Sequence, residues 1–208
     1  MDLDLVLSKL DKEEKQFVSM LIDKDPLTGA YNRRKFDQDI ALLEAISKRT
    51  DKGSSLLIID IDHFKEYNDE HGHQEGDRVL REVTSVIEKS LRDYDKIHLY
   101  RYGGEEFVVI IPGVSAEDAM GIGERVRANV AADCPVTISI GISQYRTISE
   151  SLDRLIQDAD TALYEAKRKG RNRVEAFEGQ SQRSEVGDQR SEGKRQRQEK
   201  PEGEKVRG

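Results

Sequence analysis

Carboxylates gather at two places in this sequence where apolar or glycine-rich runs end. Asp60 closes the run Leu56-Leu57-Ile58-Ile59, with Asp62 two residues on, and Glu105 and Glu106 directly follow Gly103-Gly104. A carboxylate ending a buried strand is costly unless it is paired or bound to a cation. Two or three such groups converging make an oxygen-rich site of the kind Mg2+ prefers, usually completed by phosphates. Asp62 also has a simpler reading, because an Asp just before a helix caps free N–H groups. A Gly-Gly pair between strand-like runs allows a two-residue hairpin with positive φ at both central positions. It also leaves bare backbone that a flat ligand can approach.

Cationic and amide side chains accompany these acids. Lys65 stands at a helix start, and Lys167 and Arg171 flank a helix end and its Gly170 turn. All three suit phosphate contacts, although favourable placement against the helix dipole would equally explain Lys167 and Arg171. Asn68 and Asp77 lie on either side of Gly72-His73-Gln74-Glu75-Gly76. Together an amide and a carboxylate match the polar edge of guanine. Taken singly, Asp77 reads as a helix cap, Asn68 as a turn residue and His73 as a loop residue.

The elements that must position these groups alternate along the chain. Periodicity predicts a helix over about Arg33–Lys48, a strand at Ser55–Ile61, a short helix near Phe64–Glu70 and a longer one over Asp77–Leu91. Hairpin strands follow at about Ile97–Tyr102 and Glu105–Ile111, then a helix at Ala116–Ala131 and a strand at Val136–Ile142. A helix at Leu152–Lys169 and a short strand at Val174–Phe177 complete the series. Ser55–Ile61 is apolar on both faces, so it belongs at the centre of the sheet. The order contains the ferredoxin-like β-α-β-β-α-β unit, an α+β fold with an antiparallel central sheet and added helices. In that unit the first strand lies beside the hairpin, which brings Asp60 near Glu105.

Length and composition bound the rest. With 208 residues the chain holds one domain plus extensions: a helical lead-in over 1–24, a core over 25–178 and a charged tail over 179–208. Val186 and Val206 are the large apolar residues of that tail, which therefore reads as disordered. Leu3, Val6, Leu7, Leu10, Phe17, Leu21 and Ile22 form a rough helical stripe that could pack on the body or pair with a second copy. The single cysteine, Cys134, excludes an internal disulfide framework and is compatible with a reducing compartment. No run reaches the roughly 20 apolar residues of a membrane span, and no signal pattern opens the chain. A soluble, cytoplasmic protein is the expectation. The formal net charge of −7 argues against general nucleic-acid binding.

In order along the chain, several segments carry a resemblance. They are Asp25-Pro26-Leu27-Thr28-Gly29 with Asn32-Arg33-Arg34, then Asp60-Ile61-Asp62-His63-Phe64-Lys65, and Asn68 with Gly72-His73 and Gly76-Asp77. Arg101-Tyr102-Gly103-Gly104-Glu105-Glu106-Phe107, Ser139-Ile140-Gly141-Ile142-Ser143, Ala162-Leu163-Tyr164, Ala166-Lys167 and Gly170-Arg171-Asn172 continue the set. The sequence thereby resembles the GGDEF-domain family, the diguanylate cyclases, from about Asp25 to Phe177. The resemblance implies a palm like that of nucleotidyl cyclases. It also implies synthesis of cyclic di-GMP from two GTP molecules, with release of two pyrophosphates, across a two-fold homodimer. It further implies Mg2+, or Mn2+ in its place, held by Asp60, the Ile61 carbonyl and Glu105, with Glu106 a further candidate. Glu105 would be the catalytic proton acceptor. Lys65, Asn68, His73, Asp77, Gly103, Gly104, Lys167 and Arg171 would bind substrate. Arg92 and Asp95 match the letters of the family's inhibitory product site but stand about two residues farther from the glycines than its usual placement, so either a bulge accommodates the insertion or the match is accidental. A noncatalytic GGDEF-like module that binds GTP or cyclic di-GMP and signals to a partner is the alternative.

Overall fold

A computed structural model describes residues 10–47, 53–91, 98–145 and 151–178. The Arg92 and Asp95 candidates for a product site, the first part of the N-terminal stripe and the 179–208 tail lie outside the described residues. Helix α1 (Lys12–Asp23) is started by a capping box in which Asp11 and Glu14 satisfy each other's backbone N–H. The chain continues through β1 (Tyr31–Asn32), α2 (Arg33–Ser47), β2 (Ser54–Ile61), α3 (Phe64–His71) and α4 (His73–Leu91). β3 (His98–Gly103), β4 (Glu106–Ile111), α5 (Ala116–Asp133), β5 (Ile138–Tyr145), α6 (Leu152–Arg168) and β6 (Val174–Ala176) follow. No helix among the described residues is long and apolar enough to cross a membrane.

The six strands form one sheet in the order β1-β3-β4-β2-β5-β6. Each of its four central strands runs antiparallel to its central neighbours, and β3-β4-β2-β5 is the expected ferredoxin-like arrangement. The sheet as a whole is mixed, because β1 pairs parallel with β3 and β6 parallel with β5. That corrects the expectation of an antiparallel sheet to an antiparallel centre with parallel edges. β1 escapes prediction because two residues carry no periodicity.

Every residue of β2 is buried, as a central strand requires. Its side chains alternate between two cores. Leu57, Ile59 and Ile61 pack with Val79, Val83 and Ile87 of α4 and Val126 and Val130 of α5. Leu56 and Ile58 pack on the other face with Phe36 and Ile40 of α2 and Leu155, Ala159 and Leu163 of α6. Asp60, in phase with Leu56 and Ile58, therefore falls on the α6 side of the sheet. Helix α4 begins at His73, not at Asp77, so His73 is its first residue rather than a loop residue. Gly76 lies inside the helix and Asp77 does not cap it.

Candidate active site

Pairing with β4 fixes the first contact. Asp60 stands directly opposite Glu106 across β2–β4, and Ser139 of β5 faces it on the other side. The Ile61 N–H donates to the Glu105 carbonyl at 3.4 Å. Like charges opposed across a pair repel, and Asp60 is only 8% exposed. Burial therefore pushes its carboxyl above the usual range, the charges of Glu105 and Asp62 push the same way, and Lys167 opposes them. Burial likewise raises Glu106, with the Asp60 charge next in weight. Lys167 Nζ meets Asp60 Oδ2 at 2.8 Å from α6. Asp160, two helical turns before Lys167, is raised by burial against the pull of Lys167 and adds to the field on Glu106. Asp160 was missed in the sequence, where its spacing from Lys167 on one helix face was the available signal.

Asp62 is not a helix cap. His63 occupies that position, with φ 56° and no side-chain capping bond. The Asp62 carboxylate instead accepts from Ser139 Oγ at 2.6 Å, Thr137 Oγ1 at 2.7 Å and the Asn172 N–H at 3.0 Å. These bonds clasp the end of β2 to β5 and to the turn after α6. That turn is a Schellman-type stop: the Gly170 N–H reaches the Lys167 carbonyl and the Arg171 N–H the Ala166 carbonyl. Gly170, Arg171 and Asn172 all have positive φ. The Glu66 carboxyl is held below its usual value first by its own backbone N–H, then by His63 and more weakly by Arg171. Arg171 thus lies near the first turn of α3, where Lys65 is exposed.

The hairpin differs from the Gly-Gly expectation. A bulge shifts the register between Arg101 and Gly103, and Gly103 still pairs with Glu106. The tight turn therefore consists of Gly104 and Glu105, and of the two glycines only Gly104 has positive φ, at 48°. A Cβ on Gly103 would meet nothing within 4 Å. Neither the chain's own packing nor a left-handed backbone requires glycine at 103. Elsewhere, a Cβ on Gly76 would fall 1.8 Å from Asn68 Oδ1. The bare helix at Gly76 thus makes room for the Asn68 amide, beside exposed Asp77.

Asp60, Glu105, Glu106, the Ile61 backbone and Lys167 are thus brought together, whereas Asn68, His73 and Asp77 belong to the α3–α4 corner. Among the described residues no three His, Cys, Asp or Glu side chains are disposed to hold a metal ion by themselves. Two carboxylates and a carbonyl still fit Mg2+, which is commonly bound through one or two carboxylates with phosphate oxygens completing its shell. The mutual repulsion of these acids favours a cation there.

A family model described as "Diguanylate cyclase, GGDEF domain" matches residues 22–173. The diguanylate cyclase DgcP of Pseudomonas aeruginosa is 39% identical over 186 residues, which is 81% of this chain and 27% of that protein. The coiled coil and GGDEF domain of DgcB from Caulobacter crescentus, in complex with c-di-GMP, matches with a TM-score of 0.73 at 34% identity, covering 79% of this chain and 91% of that one. The active GGEEF domain of a diguanylate cyclase from Vibrio cholerae matches with a TM-score of 0.66 at 31% identity, covering 71% and 97%. The chain spans less than half the length of the curated relatives it matches. With the family model covering most of the sequence, the chain belongs to the diguanylate cyclase, GGDEF-domain family.

Proposed function

We propose that this protein is a diguanylate cyclase, joining two GTP molecules into cyclic di-GMP with release of two pyrophosphates. The buried Asp60 carboxylate set opposite Glu106, beside a glycine turn and within reach of Lys167, is the observation that carries this reading. Asp60, the Ile61 carbonyl and Glu105 would hold Mg2+, with Glu106 adjacent. When bound, the metal would neutralise phosphate charge and favour deprotonation of the attacking 3′-hydroxyl. Glu105, at the turn, would accept that proton. Lys167 would exchange its pairing with Asp60 for a phosphate oxygen, while Lys65 and Arg171 would stabilise charge on the remaining oxygens. Asn68 and Asp77 would read the guanine edge, with His73 at the mouth of that corner. Each chain carries one nucleotide site, so closure of the product ring needs a second copy related by a two-fold axis.

Incubating the full chain with GTP and Mg2+, followed by chromatography and mass spectrometry, tests the reading. Cyclic di-GMP and pyrophosphate are expected. Glu105→Ala should lose more than the about 10–100-fold that removal of an outer-shell metal partner costs. GTP binding without turnover by the wild-type chain would overturn the cyclase in favour of a noncatalytic binding module.

A further inference from the structure

The turn after α6 places two consecutive residues with side chains in the left-handed region. Arg171 has φ 61° and Asn172 φ 46°, directly after Gly170 at φ 114°. Asparagine tolerates that region better than most residues, but an arginine there sets its Cβ against the following carbonyl oxygen. Such conformations persist only where surrounding bonds over-determine them, and they gather where function needs a fixed shape.

Bonds from several elements over-determine this turn. The Arg171 N–H donates to the Ala166 carbonyl at 3.0 Å, and the Asn172 N–H to Asp62 Oδ2 at 3.0 Å. The Arg173 carbonyl accepts from the Ile140 N–H of β5 at 2.9 Å. A further bond comes from α5. Arg127 Nη1 donates to Asn172 Oδ1 at 2.9 Å, while Arg127 Nε donates to Glu124 Oε2 at 2.7 Å. Glu124 lies one turn earlier on the same helix, so it braces the guanidinium, and the rigid fork then fixes the direction of the bond to Asn172. Asn172 is thus held by its backbone and by its side chain. Arg171, next to it, is exposed, and its charge is felt by Glu66 on the first turn of α3. The turn sets the Arg171 backbone in one conformation and leaves its guanidinium open to an arriving anion.

We propose that Arg127 and Asn172 are positioning residues for Arg171, fixing the strained turn from which it meets the phosphates of GTP. The proposal rests on the cyclase reading, in which Arg171 binds phosphate. It extends that reading to α5, a helix packed on the sheet face opposite α6. Neither residue touches substrate; both act through the backbone that carries Arg171.

The test measures GTP turnover by full chains carrying Arg127→Met, Arg127→Lys or Asn172→Gly, each alone and combined with Arg171→Ala. Met keeps an unbranched side chain without the donor, and Lys keeps a cationic donor. Gly keeps the left-handed freedom without the acceptor. Arg127→Met and Asn172→Gly should each lower kcat/KM about 10-fold or more, and Arg127→Lys less than about threefold. In the Arg171→Ala background the same changes should cost less than about twofold, because effects exerted through one side chain do not add. Where Arg171→Ala turns over too slowly to follow, GTP affinity by calorimetry is compared instead. Amide exchange at Arg171 and Asn172 should quicken about tenfold in Arg127→Met. Equal losses with and without Arg171, or an Arg127→Met enzyme within about twofold of wild type, would overturn the proposal. Should Asn172→Gly fail to fold, the two Arg127 variants decide. If wild type makes no cyclic di-GMP, the cyclase reading fails separately. The exchange rates in Arg127→Met then still decide whether Arg127 fixes the turn, and unchanged rates count against it.

Discussion

Asp60 illustrates a group placed against its own electrostatic interest. Burial and the nearby charges of Glu105 and Asp62 all disfavour its ionised form, and Lys167 only partly offsets them. Its folded-state pKa is raised, so ionisation at neutral pH costs the native state stability. Asp60→Asn keeps the shape and removes the charge, so its Tm at neutral pH should exceed wild type by about 2–4 °C per kcal/mol of relieved repulsion. Mg2+ should raise the Tm of wild type through selective binding to the folded state and leave Asp60→Asn unmoved. Calorimetry with and without Mg2+ checks both; an unchanged metal response in the variant would remove Asp60 from the metal site. At this scale the acids are legible from the chain alone, since a carboxylate ending Leu56-Leu57-Ile58-Ile59 stands out. The actual duty of Asp62 was hidden, because Thr137, Ser139 and Asn172 are distant in sequence and only the fold brings them to it.

Elements decide how Lys167 reaches Asp60. Helix α6 lies directly on β5 at Gly141, where a Cβ would stand 2.2 Å from the Ala159 carbonyl oxygen and 2.3 Å from the Leu163 nitrogen. These are backbone atoms, so a side chain there can be admitted only by moving the helix. Gly141→Ala should cost about 1–3 kcal/mol through overpacking. It should lower turnover further than Val130→Ala, a core truncation on α5 at the opposite face of the sheet. Thermal melts matched to GTP turnover separate the two effects. If both variants lose activity in proportion to stability, α6 does not govern the site. Long periodic elements such as β2 and α6 were legible, because burial imposes their pattern. Two boundaries were not. Gly76 resembles a break, yet it sits within α4 to clear Asn68, and the bulge beside Tyr102 moves the tight turn one residue past the expected glycine pair.

For the molecule as a whole, the proposed cyclase reading puts half of a site on each chain, which would make output depend on encounter between copies. Specific activity should therefore fall on dilution, with initial rates approaching about the square of protein concentration when monomers dominate. Turnover measured across a dilution series alongside sedimentation checks this, and a constant specific activity in a monomeric sample would exclude a shared site. The sheet also affects how copies can meet. Its two rims are β1, with two residues, and β6, with three. A long exposed rim would invite strand-by-strand joining of neighbours. Edge strands this short, each paired to only part of the longer strand inside it, offer little template for such growth, which favours meetings between copies through other surfaces.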